Sequence, residues 1–294
     1  MLPISIPTKM EEEILEHVYA PKTAWTVQTV IDKVLHDMCG GPKFEQTCDI
    51  ISVGSPDQPV TGVVTTFMAT FDVIQEAVRQ GKNFIITHEP TWFTGTDKTD
   101  WCQNDSVYLA KRKYLEDHGI TVWRLHDHMH MGCEVDYIYE GLLQELDWKQ
   151  YLQPDEKFPW IYEIPETTIG ALADLCKEKL GMDTVQIIGS PDMKVKRVGI
   201  LVGGGSLGFG VEEMPMQVME RNRLDLMMAG DITEWTICAY INDAYQMGMN
   251  RGMLTLGHER SEEAGMKYLA SWMQERFPDL PISFVDAKEP FKYL

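Results

Sequence analysis

Two rhythms of apolar positions run along this chain. Val27, Val30, Ile31, Val34 and Leu35 recur at helical spacing and predict an amphipathic helix over 26–38, and residues 10–19 read as another. From position 49 onward, short β-branched or wholly apolar runs alternate with helical stretches. Strands are predicted at 49–54, 62–68, 83–87 and 120–125, with helices at 71–79 and 105–118 that stop at Gly81 and Gly119. After Pro154, Pro159 and Pro165, a helix is predicted over 168–180. The alternation then resumes with strands at 197–202, 224–228, 252–256 and 282–285, and helices at 212–222, 233–247 and 261–276.

Strands separated by helical stretches imply βαβ units and mostly parallel sheets, hence an α/β fold. The segments 62–89 and 197–231 share one plan of strand, loop, helix and strand, ending in an acid or a histidine. Two related α/β lobes are therefore expected, residues 1–140 and 191–294, joined by an irregular connecting or insert region at 141–190.

Charge and cysteines narrow the picture. The chain carries 26 basic against 45 acidic side chains, a formal net charge of −19, which argues against nucleic acid and anionic membranes as partners. Its six cysteines include no C-x-x-C pair, so reduced, mostly buried thiols are expected. Residues 1–13 lack a basic stretch followed by an apolar one, and no apolar run approaches the ~20 residues of a membrane span. A soluble, cytoplasmic protein is the expectation.

Five of the eight histidines fall just past predicted strands: His88, then His126, His128 and His130, then His258. Ligands of open parallel sheets bind beyond the strands' carboxyl ends, and imidazoles with carboxylates are the usual donors to Zn, Fe, Mn or Ni. His258 and Glu262 stand four apart, on one face if a helix has begun by then, although acids at a helix start also serve its dipole. The alternation His126-Asp-His128-Met-His130, if extended, turns all three imidazoles to one side. It also suggests the H-x-H of barrel amidohydrolases, though too far along the chain for their first strand.

Several stretches together resemble one family: NFIITHEPTWF at 83–93, TVWRLHDHMH at 121–130, VGILVGGGSLG at 198–208, MMAGDITEWT at 227–236 and LGHERSEEAGMKYLASW at 256–272. This is the Nif-three-like family of dinuclear-metal-centre hexameric proteins, whose members carry the name type 2 GTP cyclohydrolase I homologue. The resemblance implies two α/β/α lobes, a cleft holding two divalent ions and a homohexameric ring. It puts the metal ligands at His88, Glu89, His130, His258 and Glu262, with His126 beside them. The family usually has His-His-Pro where this chain has His88-Glu89-Pro90, and Asp where it has His130. A carboxylate and an imidazole have traded places.

Gly203 to Gly208 matches G-x-G-x-x-G, and Asp231 nearly fits a dinucleotide reading, but a tight turn lining the cleft suits the loop better. Asp231 and Glu234 are candidate acid/base or ligand-supporting groups, or else caps of the helix that follows. Trp92, Phe93, Trp101 and Trp123 flank the histidines as pocket or core. The expected function is metal-dependent hydrolysis of a nucleotide, heterocyclic or phosphorylated small molecule through a metal-activated water. A non-enzymatic metal-binding or regulatory scaffold, forming a ring, is the alternative.

Overall fold

The computed structural model describes residues 25–153 and 160–294; the helix expected at 10–19 lies outside them. In chain order the elements begin with α1 (Val27–Cys39), β1 (Ile51–Val53), β2 (Val63–Thr66), α2 (Phe71–Arg79), β3 (Phe84–Thr87), α3 (Ser106–Asp117) and β4 (Thr121–Arg124). A short α4 (Asp127–Met131), α5 (Tyr137–Leu146), β5 (Ile161–Thr168), α6 (Ile169–Leu180), β6 (Gln186–Ile188) and β7 (Lys194–Leu201) follow. The chain continues with α7 (Met214–Arg221), β8 (Leu226–Ala229), α8 (Ala239–Gln246), β9 (Gly252–Thr255), α9 (His258–Arg276) and β10 (Ile282–Phe284).

The strands form two five-stranded sheets, ordered β1-β4-β3-β2-β10 and β5-β7-β8-β9-β6. In the first, β10, β2, β3 and β4 run parallel and β1 is antiparallel. In the second, β7, β8 and β9 run parallel between antiparallel β5 and β6. Alternation along the strands sorts side chains into layers. Val63, Phe84, Ile86 and Trp123 of the first sheet join Val198, Ile200, Leu226, Met228 and Leu254 of the second in one shared core, together with α1, α5, α6 and α9. The opposite faces have their own cores, Val64, Ile85 and Val122 under α2 and α3, and Leu201, Met227 and Met253 against α8.

In the shared layer α5 and α9 cross closely. A Cβ on Gly141 would lie 2.3 Å from the Ala264 carbonyl oxygen, and one on Gly265 would lie 2.6 Å from the Ile138 Cα. Thr65 Oγ1 donates to the Met266 carbonyl at 2.8 Å, tying β2 to α9. Among the described residues, no helix is long and apolar enough to cross a membrane.

Several expectations need correcting. Residues 141–190 hold most of α5, all of α6 and strands β5 and β6 of the second sheet. Pro165, one of three prolines that marked the stretch as irregular, sits in an edge strand, where the register with β7 slips between Glu163 and Thr167, and an edge tolerates a missing N–H. β10 returns to the first sheet beside β2. The region expected as one helix over 233–247 opens with a π-helical turn, Glu234–Cys238, in which Thr236 is non-helical. Cys39 and Cys133 form a disulfide across 94 residues, because the end of α1 comes to rest beside the loop after α4. Cys48, Cys102, Cys176 and Cys238 are free, and the last three are buried.

The segment 126–130 is helical rather than extended. Asp49, from the loop before β1, accepts hydrogen bonds from the backbone N–H of His126, Asp127 and His128 at 2.7, 2.8 and 3.0 Å. It therefore supplies from a distant segment the cap that a helix start lacks. The helix turns His128 away from its neighbours: Nδ1 meets Asp49 Oδ2 at 2.6 Å, and Nε2 accepts from the Lys43 N–H at 3.0 Å. His126 and His130 remain on the other side. Asp49→Ala strips three backbone donors and a buried imidazole of their acceptor, so a loss of ~2–4 kcal/mol is expected from urea unfolding. A loss under ~0.5 kcal/mol would mean that α4 is held by its other neighbours alone.

Candidate metal centre

The carboxyl ends of β3, β4, β7, β8 and β9 converge, and each delivers part of one cluster. β3 ends on His88 and Glu89, β4 leads to His126 and α4, β9 runs into His258 at the start of α9, and Glu262 lies one turn further. His88 Nε2 lies 3.2 Å from His130 Nε2 and 3.4 Å from Glu262 Oε2. His258 Nε2 lies 3.1 Å from Glu262 Oε2 and 3.3 Å from Glu89 Oε1. His126 stacks on His88 with ring centres 4.6 Å apart, its Nε2 3.7 Å from Glu89 Oε1. All five residues expected as ligands, and His126, are thus brought together. His88, His126 and His130 form one group that could hold a metal ion, and His88, Glu89 and Glu262 another.

The far nitrogen of each imidazole is tied to an oxygen. Nδ1 of His88 meets the Leu125 carbonyl at 3.1 Å, that of His126 Asp127 at 3.0 Å, that of His130 Asp136 at 2.9 Å and that of His258 Asp231 at 2.9 Å. An oxygen acceptor at Nδ1 keeps the ring proton there and leaves Nε2 as the donor atom that faces the centre. Glu262 is buried, and its Oε2 accepts no hydrogen bond. Inward-facing Nε2 atoms, once free of protons, and the carboxylates of Glu262 and Glu89 suit borderline divalent cations.

Arg124 fixes Glu89. Nε donates to the His88 carbonyl, Nη1 to the Gly95 carbonyl and Nη2 to Glu89 Oε2 at 3.2 Å. The glycine loop is a wall of the cluster: a Cβ on Gly203, at φ +47°, would lie 2.0 Å from Glu262 Oε1 and 2.7 Å from His258 Nε2. A 3₁₀ turn, Gly203–Leu207, follows β7 where a dinucleotide cradle would begin its helix. Asp231 is committed to His258, while Glu234 is exposed on the π-helical turn. Trp92 and Trp123 are core residues and Trp101 is exposed. Phe93 instead helps Phe67, Phe291 and Tyr293 line a cavity of about 810 Å³ that reaches Glu89, Asp231 and His258.

Asp49, Asp127, Asp136 and Arg124 escaped the sequence reading. Asp136 had a signal, since it precedes the apolar run of α5 and caps it through Oδ1 while Oδ2 takes His130. Arg124 had one too, a lone charge closing an apolar strand.

Electrostatics follow from this crowding. Burial opposes charge on Glu89, yet His258 and His88 hold it at about 2. Burial likewise opposes charge on Glu262, and His258 and His88 keep it well below the usual carboxylate range. Burial works against His130 and His258, but Asp136, Glu262 and Glu89 lift the first to about 9, and Asp231, Glu262 and Glu89 lift the second to about 12. Burial, helped by His88 and His130, pushes His126 down to about 4. Without metal, protons on His130 and His258 therefore stand where a cation would bind. Metal loading at pH 7 should release about two protons per chain, and affinity should fall as pH drops. Calorimetry in buffers of different ionisation enthalpy checks this, and an enthalpy independent of buffer would contradict it.

Comparisons with known proteins bear on the fold and the family. A protein of Clostridium perfringens named GTP cyclohydrolase 1 type 2 homolog is 24% identical over 256 residues, covering 83% of this chain and 90% of that one. The structure of a Bacillus cereus protein related to NIF3 superposes with a TM-score of 0.68 at 14% identity, over 92% of this chain and 99% of that one. A Staphylococcus aureus protein gives 0.67 at 18% identity, over 92% and 100%. At such identities the superpositions speak for the fold. The profile of the Duf34/NIF3 (NGG1p interacting factor 3) family matches residues 44–290, and the chain belongs to that family.

Proposed function

We propose that the protein is a hydrolase with a dinuclear divalent-metal centre, acting on a nucleotide or another heterocyclic or phosphorylated small molecule. The observation that carries this reading is the set of inward-facing Nε2 atoms and two carboxylates beside a cavity of about 810 Å³. Glu262 brings both oxygens into the cluster, Oε1 3.9 Å from His130 and Oε2 3.1 Å from His258 and 3.4 Å from His88, so it is placed to serve both ions of the proposed pair. One ion would sit with His88, His130 and Glu262, the other with Glu89, His258 and Glu262. Bound divalent ions lower the pKa of water and polarise an electrophile.

The chain's own groups do the rest. Neutral His126 presents Nε2 as a further ligand or as an acceptor for a substrate proton. Phe67, Phe93, Phe291 and Tyr293 offer faces for a planar ring. The name of the Clostridium relative makes a purine nucleotide the first substrate to try.

Elemental analysis of saturated protein should find about two ions per chain, and His258→Ala should lose at least one. The loaded protein is then screened against nucleotides, phosphoesters and amides. Turnover that depends on His88 and His258 is expected, and its absence across the screen would leave the non-enzymatic metal-binding scaffold.

The assembly belongs to the same proposal. A homohexamer is supported by large apolar side chains left exposed, Phe209, Val211 and Trp235 among them. Light scattering should give a mass near six chains, and a stable monomer at micromolar concentration would remove the ring.

A further inference from the structure

A second group of acids lies one helix face away from the imidazoles. Glu259 and Glu263 stand four apart at the start of α9, and Asp286 follows β10; one carboxylate oxygen of each lies within 4.8 Å of the others. Glu259 and Glu263 are only 6% and 5% exposed. Neither oxygen of Glu259 receives a hydrogen bond, although Arg260 Nε lies 3.1 Å from Oε2. A carboxylate more than nine-tenths buried with both oxygens free of donors is costly unless a cation faces it.

Arg260 is the resident cation, and it is not enough. Its Nη1 donates to Glu263 Oε2 at 2.5 Å and to Asp286 Oδ1 at 3.3 Å, and its Nε lies 3.9 Å from Glu289. One guanidinium thus serves four carboxylates. Glu263 Oε1 accepts from the Ala287 N–H, and Asp286 Oδ1 also accepts from the Lys288 N–H. Both oxygens of Glu259 keep their lone pairs. A cavity of about 250 Å³, lined by Glu263 and Asp286 together with Arg260, Lys179 and Lys267, reaches two of the three acids from outside, and Glu259 borders the larger cavity on its other side.

We propose that Glu259, Glu263 and Asp286 form a second cation site, built of oxygen donors alone, that takes a hard divalent ion such as Ca²⁺. Its donor chemistry separates it from the imidazole centre, which suits softer metals. The ion pins the segment after β10 to the first turns of α9, and this proposal stands independently of any hydrolase activity.

The test uses the full chain freed of metal by chelation and titrated with Ca²⁺ alone, read by thermal unfolding and calorimetry. Ca²⁺ should raise the unfolding temperature of the wild type. Asp286→Asn, at a half-exposed position, should weaken Ca²⁺ binding at least about tenfold while leaving zinc uptake unchanged, and Glu259→Gln should weaken Ca²⁺ binding similarly. His258→Ala, impaired at the imidazole centre, should keep the Ca²⁺ response. No Ca²⁺ response at millimolar concentration, or one that survives in both acid variants, overturns the proposal in favour of a proton shared between the two glutamates. A response abolished by His258→Ala would assign the ion to the imidazole centre and overturn it equally.

Discussion

The site depends on one constraint: each of four imidazoles is gripped at Nδ1 by an oxygen, so that Nε2 points inward. The grips come from a strand-end carbonyl (Leu125), the first turn of α4 (Asp127), the cap of α5 (Asp136) and the end of β8 (Asp231). None lies on the element that carries the histidine it holds, apart from Asp127. Ring orientation is therefore a property of the packed fold rather than of local sequence. Three of the grips are carboxylates, which make the rings better donors and add negative charge around a centre that already carries Glu89 and Glu262.

Helix α9 makes such crowding possible. It begins directly on β9, carries His258 and Glu262 on one face and Glu259 and Glu263 on another, and runs through the layer shared by both sheets. Five consecutive polar residues, Glu259 to Glu263, are buried there. A helix start ordinarily leaves such side chains in water. Here they are enclosed because Gly141, Gly203 and Gly265 let neighbouring backbones approach without a Cβ in the way. Close packing and buried charge arise together, and the charge is balanced in part by Arg260 and by the imidazoles.

Much of this was legible from periodicity. The β2-α2-β3-α3-β4 run emerged within a residue or two of its observed bounds, because each strand is a short apolar run and each helix ends on a glycine or beside one. The gathering of His88, His126, His130 and His258 was legible because each lies beyond a strand's carboxyl end, whereas Glu89 and Glu262 entered the expected set through the family resemblance. What stayed hidden depends on distant partners. Asp49 converts 126–130 from an apparent extended segment to a helix, and nothing near those residues announces it. Pro165 misled because a proline in an edge strand looks like a proline in a loop. Cys39 and Cys133 carry no spacing signature, since only the tertiary fold makes them neighbours.

The pairing of β10 with β2 has a consequence for how the molecule is made. Ile282 lies against Val63, so the edge strand of the first sheet is recruited only after the whole second sheet has been synthesised. As the chain leaves the ribosome, β2 waits with an open flank, an invitation to mispairing, while α9 and its acids have yet to appear. So many contacts between distant parts of the chain imply slow folding. The last strand to arrive shuts that flank and at the same moment brings Asp286 up to Arg260, so completion of the sheet and assembly of its most crowded acids around one guanidinium are a single late event.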